Sequence, residues 1–575
     1  MSKNNKKKKI LLALLPFWDP MMPPQGIACL KSFLQKHGYS VCTAAVNMEN
    51  RFLVAYDRYF DIIWKLVPPN RKGDFFHLGH FVLQNHLMAH IRYKKEAEYT
   101  RLVKELIYLN YYINVDGNTV FSLIGIIEQF YRDFEQYILD LLAKEQPGIF
   151  GVSVFKATLP ASLFALKLTR ERYPHITTIM GGGIFADHLA PASPNFEAVM
   201  EESRDYLDKV FVGEGELLLL RYLQGDLAPG KRFYTREDIN GQALDFADKD
   251  VPDYSDFDVR QHPYICLGAI GSISCKYSCS FCNEKKFWGE FRSKDVRQTV
   301  REMTELYRRY GYQLFFMADA MLNPIASELA REFIRSPVVL YYDSYFRVDP
   351  GTGDRESTLL WRQGGLYRVR IGAESGSQHV LDCMSKGITP DQIAGTVSAL
   401  AAAGIKITTY WVVGHPGETE EDFNETLRLV EEMKNDIWQV EIAPFDYYYS
   451  GQTNSEKWAS QRKLLYPEEA ADMLLVRTWI LEPPPSRQET YDRLFRLRDH
   501  CTSLGIPNPY SIPEICQADE RWHRLHKNAA PPLLDFKKQG NYLDECRRVK
   551  KILSAQIPQP DEGDFGFSDF TAEVS

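Results

Sequence analysis

The sequence has no apolar run long enough to span a bilayer. The stretch Ile10-Leu11-Leu12-Ala13-Leu14-Leu15 falls well short of the ~20 residues that a membrane helix needs. The chain beyond Leu15 reads as folded protein rather than a cleavage site, so neither an export signal nor a membrane span is expected. Strong charge is also absent. A net charge of −8 over 575 residues gives no reason to expect nucleic-acid binding, and the one sharp basic run, Lys6-Lys7-Lys8-Lys9, reads as a solvated tail. Cysteine is sparse: the chain has ten, too few for a small disulfide scaffold, and those scattered outside one cluster fit a reducing compartment. The cytoplasm is the expected location. Hairpin signals are missing between the strand-like runs of the second half, which implies parallel strands. With 45% apolar and 25% charged residues the composition is that of a globular protein, and the length allows roughly three to four domains.

The feature that stands out is Ser274-Cys275-Lys276-Tyr277-Ser278-Cys279-Ser280-Phe281-Cys282, a C-x-x-x-C-x-x-C triplet. Three thiolates from one short loop suit a cubane iron–sulfur cluster with one iron left without a protein ligand. A structural zinc site would normally take four ligands, and no second C-x-x-C or paired histidine stands nearby. Zinc remains an alternative, and a disulfide framework a weaker one, since three clustered cysteines cannot all pair.

The first part of the chain alternates as an α/β protein. A strand over 10–15, a Pro-rich loop over 16–24, a helix over 26–37 and a strand over 41–46 make one βαβ unit. The pattern resumes with a strand over 148–153, a helix over 159–172, a strand over 176–180 running into Gly181-Gly182-Gly183, and Lys209-Val210-Phe211-Val212-Gly213-Glu214-Gly215-Glu216. Doubly wound sheets place ligands where such strand ends meet helix starts. Between the second and third strands lies an insertion over about 49–145, with helical spacing at 102–112 and 121–142. Its helices are expected to pack on the sheet, and its aromatics are candidates to line a substrate channel.

Residues 226–258 read as a linker. Strand–helix alternation then runs to Ala443, with strands over 313–317, 338–344, 367–371, 406–413 and 437–443 separated by helices. About six units are too few for an eight-unit barrel, so a partial barrel over 259–450 is expected. Residues 451–557 read as a C-terminal helical region with helices over 467–480 and 486–501, and 558–575 as a disordered acidic tail. Cys501, Cys516 and Cys546 lack the spacing of a second cluster.

The triplet, Phe281 before its last cysteine and the strand-like 264–270 resemble the radical S-adenosylmethionine (SAM) superfamily. That resemblance implies a 4Fe-4S cluster on Cys275, Cys279 and Cys282 whose open iron binds SAM and, once reduced, cleaves it to a 5′-deoxyadenosyl radical. It also implies a partial (β/α)6 barrel with functional groups at the strand ends. Phe316-Met317-Ala318-Asp319-Ala320-Met321-Leu322-Asn323 resembles the family's second-strand motif, with Asp319 and Asn323 facing the cavity or capping the next helix. Arg347, in Phe346-Arg347-Val348-Asp349, is a candidate partner for the SAM carboxylate or a barrel acid. Ile371-Gly372-Ala373-Glu374-Ser375-Gly376-Ser377-Gln378, with Met384 and Lys386-Gly387 after it, resembles the fourth-strand motif, in which Glu374 and Ser375 would bind the amino and ribose groups of SAM. Val412-Val413-Gly414-His415-Pro416-Gly417-Glu418-Thr419 resembles the next motif. There Glu418 and Thr419 are expected to cap the following helix, and His415 is a candidate for proton transfer. No other catalytic residue is assigned.

Pro24-Gln25-Gly26-Ile27, Gly151-Val152-Ser153, the triple glycine and Val212-Gly213-Glu214 resemble the cobalamin-binding domain that precedes the radical core in many such enzymes. The resemblance implies that Gly151, Ser153, Gly182, Gly183, Gly213 and Glu214 approach cobalamin. A Rossmann-like domain whose glycines only make tight turns is the plainer reading. No Asp-x-His-x-x-Gly stretch follows the first strand, so a histidine lower ligand for cobalt is not expected. The implied activity is cobalamin-dependent C-methylation of an unactivated carbon in a small molecule, peptide or lipid. The implied electron donor is a flavodoxin or ferredoxin. A radical cyclase, rearrangement or peptide-modifying enzyme without methyl transfer is the alternative.

Overall fold

Ile10–Leu14 is apolar and buried at every position, as a strand covered on both faces must be. In the computed structural model it lies between Val41–Ala45 and Ile149–Ser153, parallel to both. The structure describes residues 8–18, 22–72, 75–259, 264–449, 456–508 and 512–536. The first sheet has six strands, in the order Val41–Ala45, Ile10–Leu14, Ile149–Ser153, Thr177–Gly181, Lys209–Phe211 and Phe233–Tyr234, all parallel. Chain order reverses between Ile10–Leu14 and Ile149–Ser153, which opens a crevice at their carboxyl ends. Helices Gln25–Lys36 and Gly215–Gln224 pack together over one face, and Gly117–Glu145 packs on Leu159–Arg172 over the other. Phe233–Tyr234 falls within the stretch read as linker. It extends the sheet because Val210 and Phe211 leave an edge that it can pair with.

The insertion forms four helices, Asn50–Leu66, Phe75–Arg92, Glu96–Tyr111 and Gly117–Glu145. The last two match the stretches expected from the apolar spacing, and the first two fill the aromatic-rich part that precedes them. The bundle packs on the sheet side through Phe17, whose ring lies 5.1 Å from Phe130 and 5.5 Å from Tyr56. It also reaches the C-terminal region, where Arg92 Nε donates to the Asp472 carbonyl at 2.7 Å and Asn110 Nδ2 to Tyr466 OH at 3.3 Å.

The second sheet also has six parallel strands, Leu267–Ala269, Leu314–Met317, Tyr341–Phe346, Leu366–Glu374, Lys406–Val413 and Gln439–Pro444, in chain order. Its two end strands do not pair with each other, so the barrel is partial, as six units imply. The C-terminal region plugs its amino end. Lys406 Nζ, fully buried, lies 2.5 Å from Asp519 Oδ1 and donates to Tyr367 OH at 2.6 Å, while Leu533, Leu534 and Phe536 pack on Ile265, Leu314 and Tyr367. Ligands therefore enter from the carboxyl end, which faces the first sheet. There Gly268 leaves room for Gln25: a Cβ on it would meet Gln25 Oε1 at 2.3 Å. Lys31 pairs with Asp253 at 3.0 Å and with Asp256 at 2.8 Å, which fixes the connecting segment.

The C-terminal region is not wholly helical. The helix expected over 467–480 stops at Leu474, and Trp479–Leu481 pairs antiparallel with Arg462–Leu464. Bulky Trp479 and β-branched Ile480 favour an extended backbone, and Pro483-Pro484-Pro485 prevents a helix from continuing. Helix Arg487–Ser503 follows as expected, and Ile512–Leu525 adds a further one. The tail at 558–575 and Cys546 lie outside the described residues. Among the described residues no helix is long and apolar enough to cross a membrane.

Candidate active site

The three-cysteine loop leaves the first barrel strand and is held shut at its base. Ser272–Ile273 pairs antiparallel with Arg292–Ser293, and Ser274, at φ +73°, donates to the Gly289 carbonyl at 2.6 Å. Asp319, at the end of the second strand, braces the start of the loop. Its carboxylate accepts from Gly271 N at 3.0 Å and Ser272 Oγ at 2.5 Å. Burial pushes its pKa up to about 6. Asp319 thus lies at the cavity edge, with its oxygens directed to the loop. Asn323 neither faces the cavity nor caps: it is the first residue of its helix, and its side chain clamps Arg347 by bonds of 2.8 Å to the carbonyl and 2.9 Å from the amide.

All nine cysteines of the described residues are free thiols, which removes the disulfide reading for this loop. Among those residues no three His, Cys, Asp or Glu side chains gather as ligands of one metal ion would. Three soft thiolates on one loop match a cubane with one open iron, whereas a structural zinc takes a fourth protein ligand. Burial raises Cys275 and pushes Cys282 up to about 11, so coordination by a metal is what would hold them as thiolates. Arg347 presses on the same loop, its guanidinium 3.9 Å above the Tyr277 ring and Nη1 3.4 Å from Cys279 Sγ. Nε lies 3.5 Å from Asp349.

Glu374 ends the fourth strand at φ +65°, buried, with Lys386 Nζ 2.6 Å from Oε1. An ammonium does face this carboxylate, but it belongs to the chain. Ser375 points elsewhere: its Oγ lies 3.2 Å from Thr426 Oγ1 and fastens the strand end to helix Glu420–Glu432. Glu418 does not cap that helix either. It pairs with Arg493 of the C-terminal region at 2.8 Å and accepts from Gly414 N at 2.8 Å, while Thr419 forms the capping box with Asp422. His415 is buried, its ring edge-on to Phe445 at 5.1 Å.

Between the two sheets lies a cavity of about 690 Å³. Gly151, Ser153, Gly182, Gly183, Gly213 and Glu214 line one side, and Ser274, Asp319 and Tyr345 the other. Gly182, at φ +118°, is required by its own turn, since a Cβ would meet Val154 N at 2.4 Å. At Gly26 and Gly213 a Cβ would meet nothing within 4 Å, so the floor there is bare backbone. Glu214 Oε2 accepts from Arg292 at 2.9 Å, joining the first sheet to the base of the cysteine loop. Its Oε1 is buried without a partner, a vacant acceptor suited to an amide donor on a large ligand.

The family model of the radical SAM superfamily matches residues 270–430, from the cysteine loop to the helix after the fifth strand. The chain carries a radical SAM domain. Such a domain implies a 4Fe-4S cluster, SAM and a reductant. An anaerobic magnesium-protoporphyrin IX monomethyl ester cyclase from Rubrivivax gelatinosus is 24% identical over 53% of this chain. That match covers 57% of the relative, so the chain spans little more than half its length. Among solved structures, the radical SAM methyltransferase TsrM from Kitasatospora setae, with cobalamin and a 4Fe-4S cluster bound, aligns at a TM-score of 0.61 and 13% identity, over 95% of this chain and 99% of that one. The cobalamin-dependent radical SAM enzyme OxsB with aqua-cobalamin bound aligns at 0.54 and 12% identity, over 100% and 84%. At these identities the likeness establishes the fold: a Rossmann-like domain joined to a radical SAM barrel.

Two features of the radical SAM site escaped the sequence. Lys386 stands just after the fourth-strand motif, yet nothing local shows that it closes on Glu374. Arg370, at an inward position of the fourth strand, binds Asp343 through Nε at 3.0 Å and Tyr410 OH through Nη1 at 3.1 Å. Strand alternation was the signal available for it.

Proposed function

We propose that the protein is a radical SAM enzyme, a cobalamin-dependent methyltransferase acting on an unactivated carbon of a small molecule, peptide or lipid. The observation that carries the reading is the single cavity walled by the glycine turns of the first sheet and by the mouth of the radical SAM barrel. Only a shared cavity lets two cofactors address one carbon. Cys275, Cys279 and Cys282 fit the cluster as a soft donor set on one loop. The bare backbone at Gly26 and Gly213 and the vacant Glu214 Oε1 fit a corrin with amide side chains. None of the described residues lining the cavity is a histidine, which agrees with the missing Asp-x-His-x-x-Gly stretch.

When bound, the cluster and SAM supply the radical that removes a substrate hydrogen, and the corrin supplies the methyl group. The chain supplies placement. Glu374, with one oxygen held by Lys386, would hold the SAM ammonium with the other; Ser375 and Thr426 keep that strand end against its helix. Arg347 and Tyr277 fix the cysteine loop, and Asp319 fixes its root. The partner required is a one-electron donor such as a flavodoxin or ferredoxin, in a reducing compartment. A second reading, a radical cyclase without methyl transfer, is favoured by the likeness to the Rubrivivax cyclase. Purification with hydroxocobalamin separates the two. A corrin band that stays with the protein through gel filtration supports the methyltransferase, and a protein coloured by its cluster alone supports the cyclase.

A further inference from the structure

The cavity between the two sheets is acidic, and one of its carboxylates has no partner. Among the described residues its charged lining consists of Glu214, Glu216, Glu284, Asp319 and Lys249, four acids to one base. Three of the acids are already engaged. Glu214 Oε2 pairs with Arg292 at 2.9 Å, Glu216 Oε1 pairs with Lys249 at 3.1 Å, and Asp319 accepts from Gly271 N and Ser272 Oγ. The side chain of Glu284 forms neither an ion pair nor a hydrogen bond with any described residue.

Glu284 is fixed from both sides along the chain. It opens the short helix Glu284–Trp288 that follows the cysteine loop, and Asn283, directly before it, donates through Nδ2 to the Ala186 carbonyl at 3.3 Å. At the other end the Gly289 carbonyl accepts from Ser274 Oγ at 2.6 Å, which ties the helix to the root of the loop. Trp288 stands one turn on from Glu284, so the two share a face of the helix, and both line the cavity. A carboxylate beside an indole suits a cation. The carboxylate takes charge-assisted hydrogen bonds, and the ring face attracts positive charge. Glu374 is already assigned to the SAM ammonium and the vacant oxygen of Glu214 to a corrin amide, which leaves Glu284 for the substrate. Lys249 is bound to Glu216, so the described lining offers no spare cation to a substrate carboxylate.

We propose that Glu284 and Trp288 form the cation site for the substrate, which is a protonated amine with no carboxylate beside its nitrogen. The inference rests on the chamber assigned above and adds the substrate class to it. An unpaired carboxylate in a half-buried site costs stability until such a cation neutralises it. With its ammonium held against the helix that follows the cluster loop, the rest of the substrate extends into the space between the two sheets.

Anaerobic calorimetry on the full chain, loaded with cluster, SAM and cobalamin, tests this with hexylamine, phenethylamine and glucosamine as probes, each against its neutral counterpart hexanol, phenethyl alcohol or glucose. At least one amine should bind about tenfold or more tighter than its counterpart, the margin of a charge-assisted hydrogen bond. Phenylalanine, which adds a carboxylate to phenethylamine, should bind no tighter than phenethylamine. Glu284→Gln should bring amine and counterpart to within about threefold of each other. Trp288→Leu should weaken the amine about threefold while keeping its preference over the counterpart. Iron, SAM and corrin content equal to wild type in both variants shows that they fold. Failure of every amine to outbind its counterpart would overturn this inference, as would a preference that survives Glu284→Gln or tighter binding of phenylalanine. Loss of SAM or corrin from Glu284→Gln would overturn it too, by making Glu284 a cofactor ligand. Absence of corrin from wild type would instead count against the methyltransferase reading, and the amine preference is then read on the SAM-bound protein.

Discussion

Lys386 Nζ and Glu374 Oε1 lie 2.6 Å apart, with only 8% and 9% of their side chains exposed. Glycine at 372 makes the contact possible, since a Cβ there would sit 2.2 Å from Oε1. Lys386 is in turn tied to the cysteine loop. Its ammonium lies 5.6 Å from the centre of the Phe281 ring, and Ser280 N, next to Phe281, donates to the Met384 carbonyl at 2.9 Å. The proposed SAM ammonium acceptor and the proposed cluster loop therefore share one support.

Lys386→Met should remove that support without touching a cysteine. A buried carboxylate left alone costs about 3 kcal/mol or more, and here it would also lose its fixed direction. We expect iron content equal to wild type and SAM binding at least about tenfold weaker by calorimetry. Equal SAM affinity would show that Glu374 does not need Lys386.

Replacing Cys275, Cys279 and Cys282 together by alanine should abolish iron and sulfide uptake in anaerobic reconstitution. Wild type should take up cluster iron with sulfide. Equal iron in both would mean that the metal sits elsewhere.

Gly26→Leu tests the cavity floor. A Cβ there meets nothing within 4 Å, so the protein should fold as wild type while the rest of the side chain extends into space assigned to the corrin. The expected result is an unchanged melting temperature in the absence of corrin and loss of the corrin band on gel filtration. Retention of the band would place the corrin away from Gly26.

The fold was legible because its signals are local. Apolar runs such as Ile10–Leu14 mark buried parallel strands, and the six barrel units follow one another in the chain. The cysteine triplet carries its chemistry within nine residues. Side-chain direction at the fourth strand was not legible. Register shifts between Gly372 and Glu374, so alternation breaks there, and Ser375 turns to Thr426 rather than to the cavity. The strand at Trp479–Leu481 was not legible because its partner, Arg462–Leu464, lies on the other side of helix Glu468–Leu474, whose apolar spacing runs on into it.

Asp319 gives a pH signature. Its folded pKa, about 6, lies above the ordinary 3.8. Between those values the folded protein holds a proton that the unfolded chain has released, so its contribution to stability falls as pH rises through that window. At neutral pH the penalty is on the order of 2–3 kcal/mol. Wild type should therefore gain melting temperature relative to Asp319→Asn as pH is lowered from neutrality to below the raised pKa. A constant difference between the two proteins across that range would show that Asp319 titrates normally.

The central claim is that one chamber joins SAM cleavage to methyl transfer. Its most direct test is incubation of the reconstituted, corrin-loaded enzyme with reductant, candidate substrate and SAM labelled in its methyl group with deuterium, followed by mass spectrometry. The account predicts a product that has gained the trideuteromethyl group, with 5′-deoxyadenosine formed alongside, and loss of the methylated product when cobalamin is left out. Formation of 5′-deoxyadenosine at the same rate with and without cobalamin, and no label in any product, would contradict it.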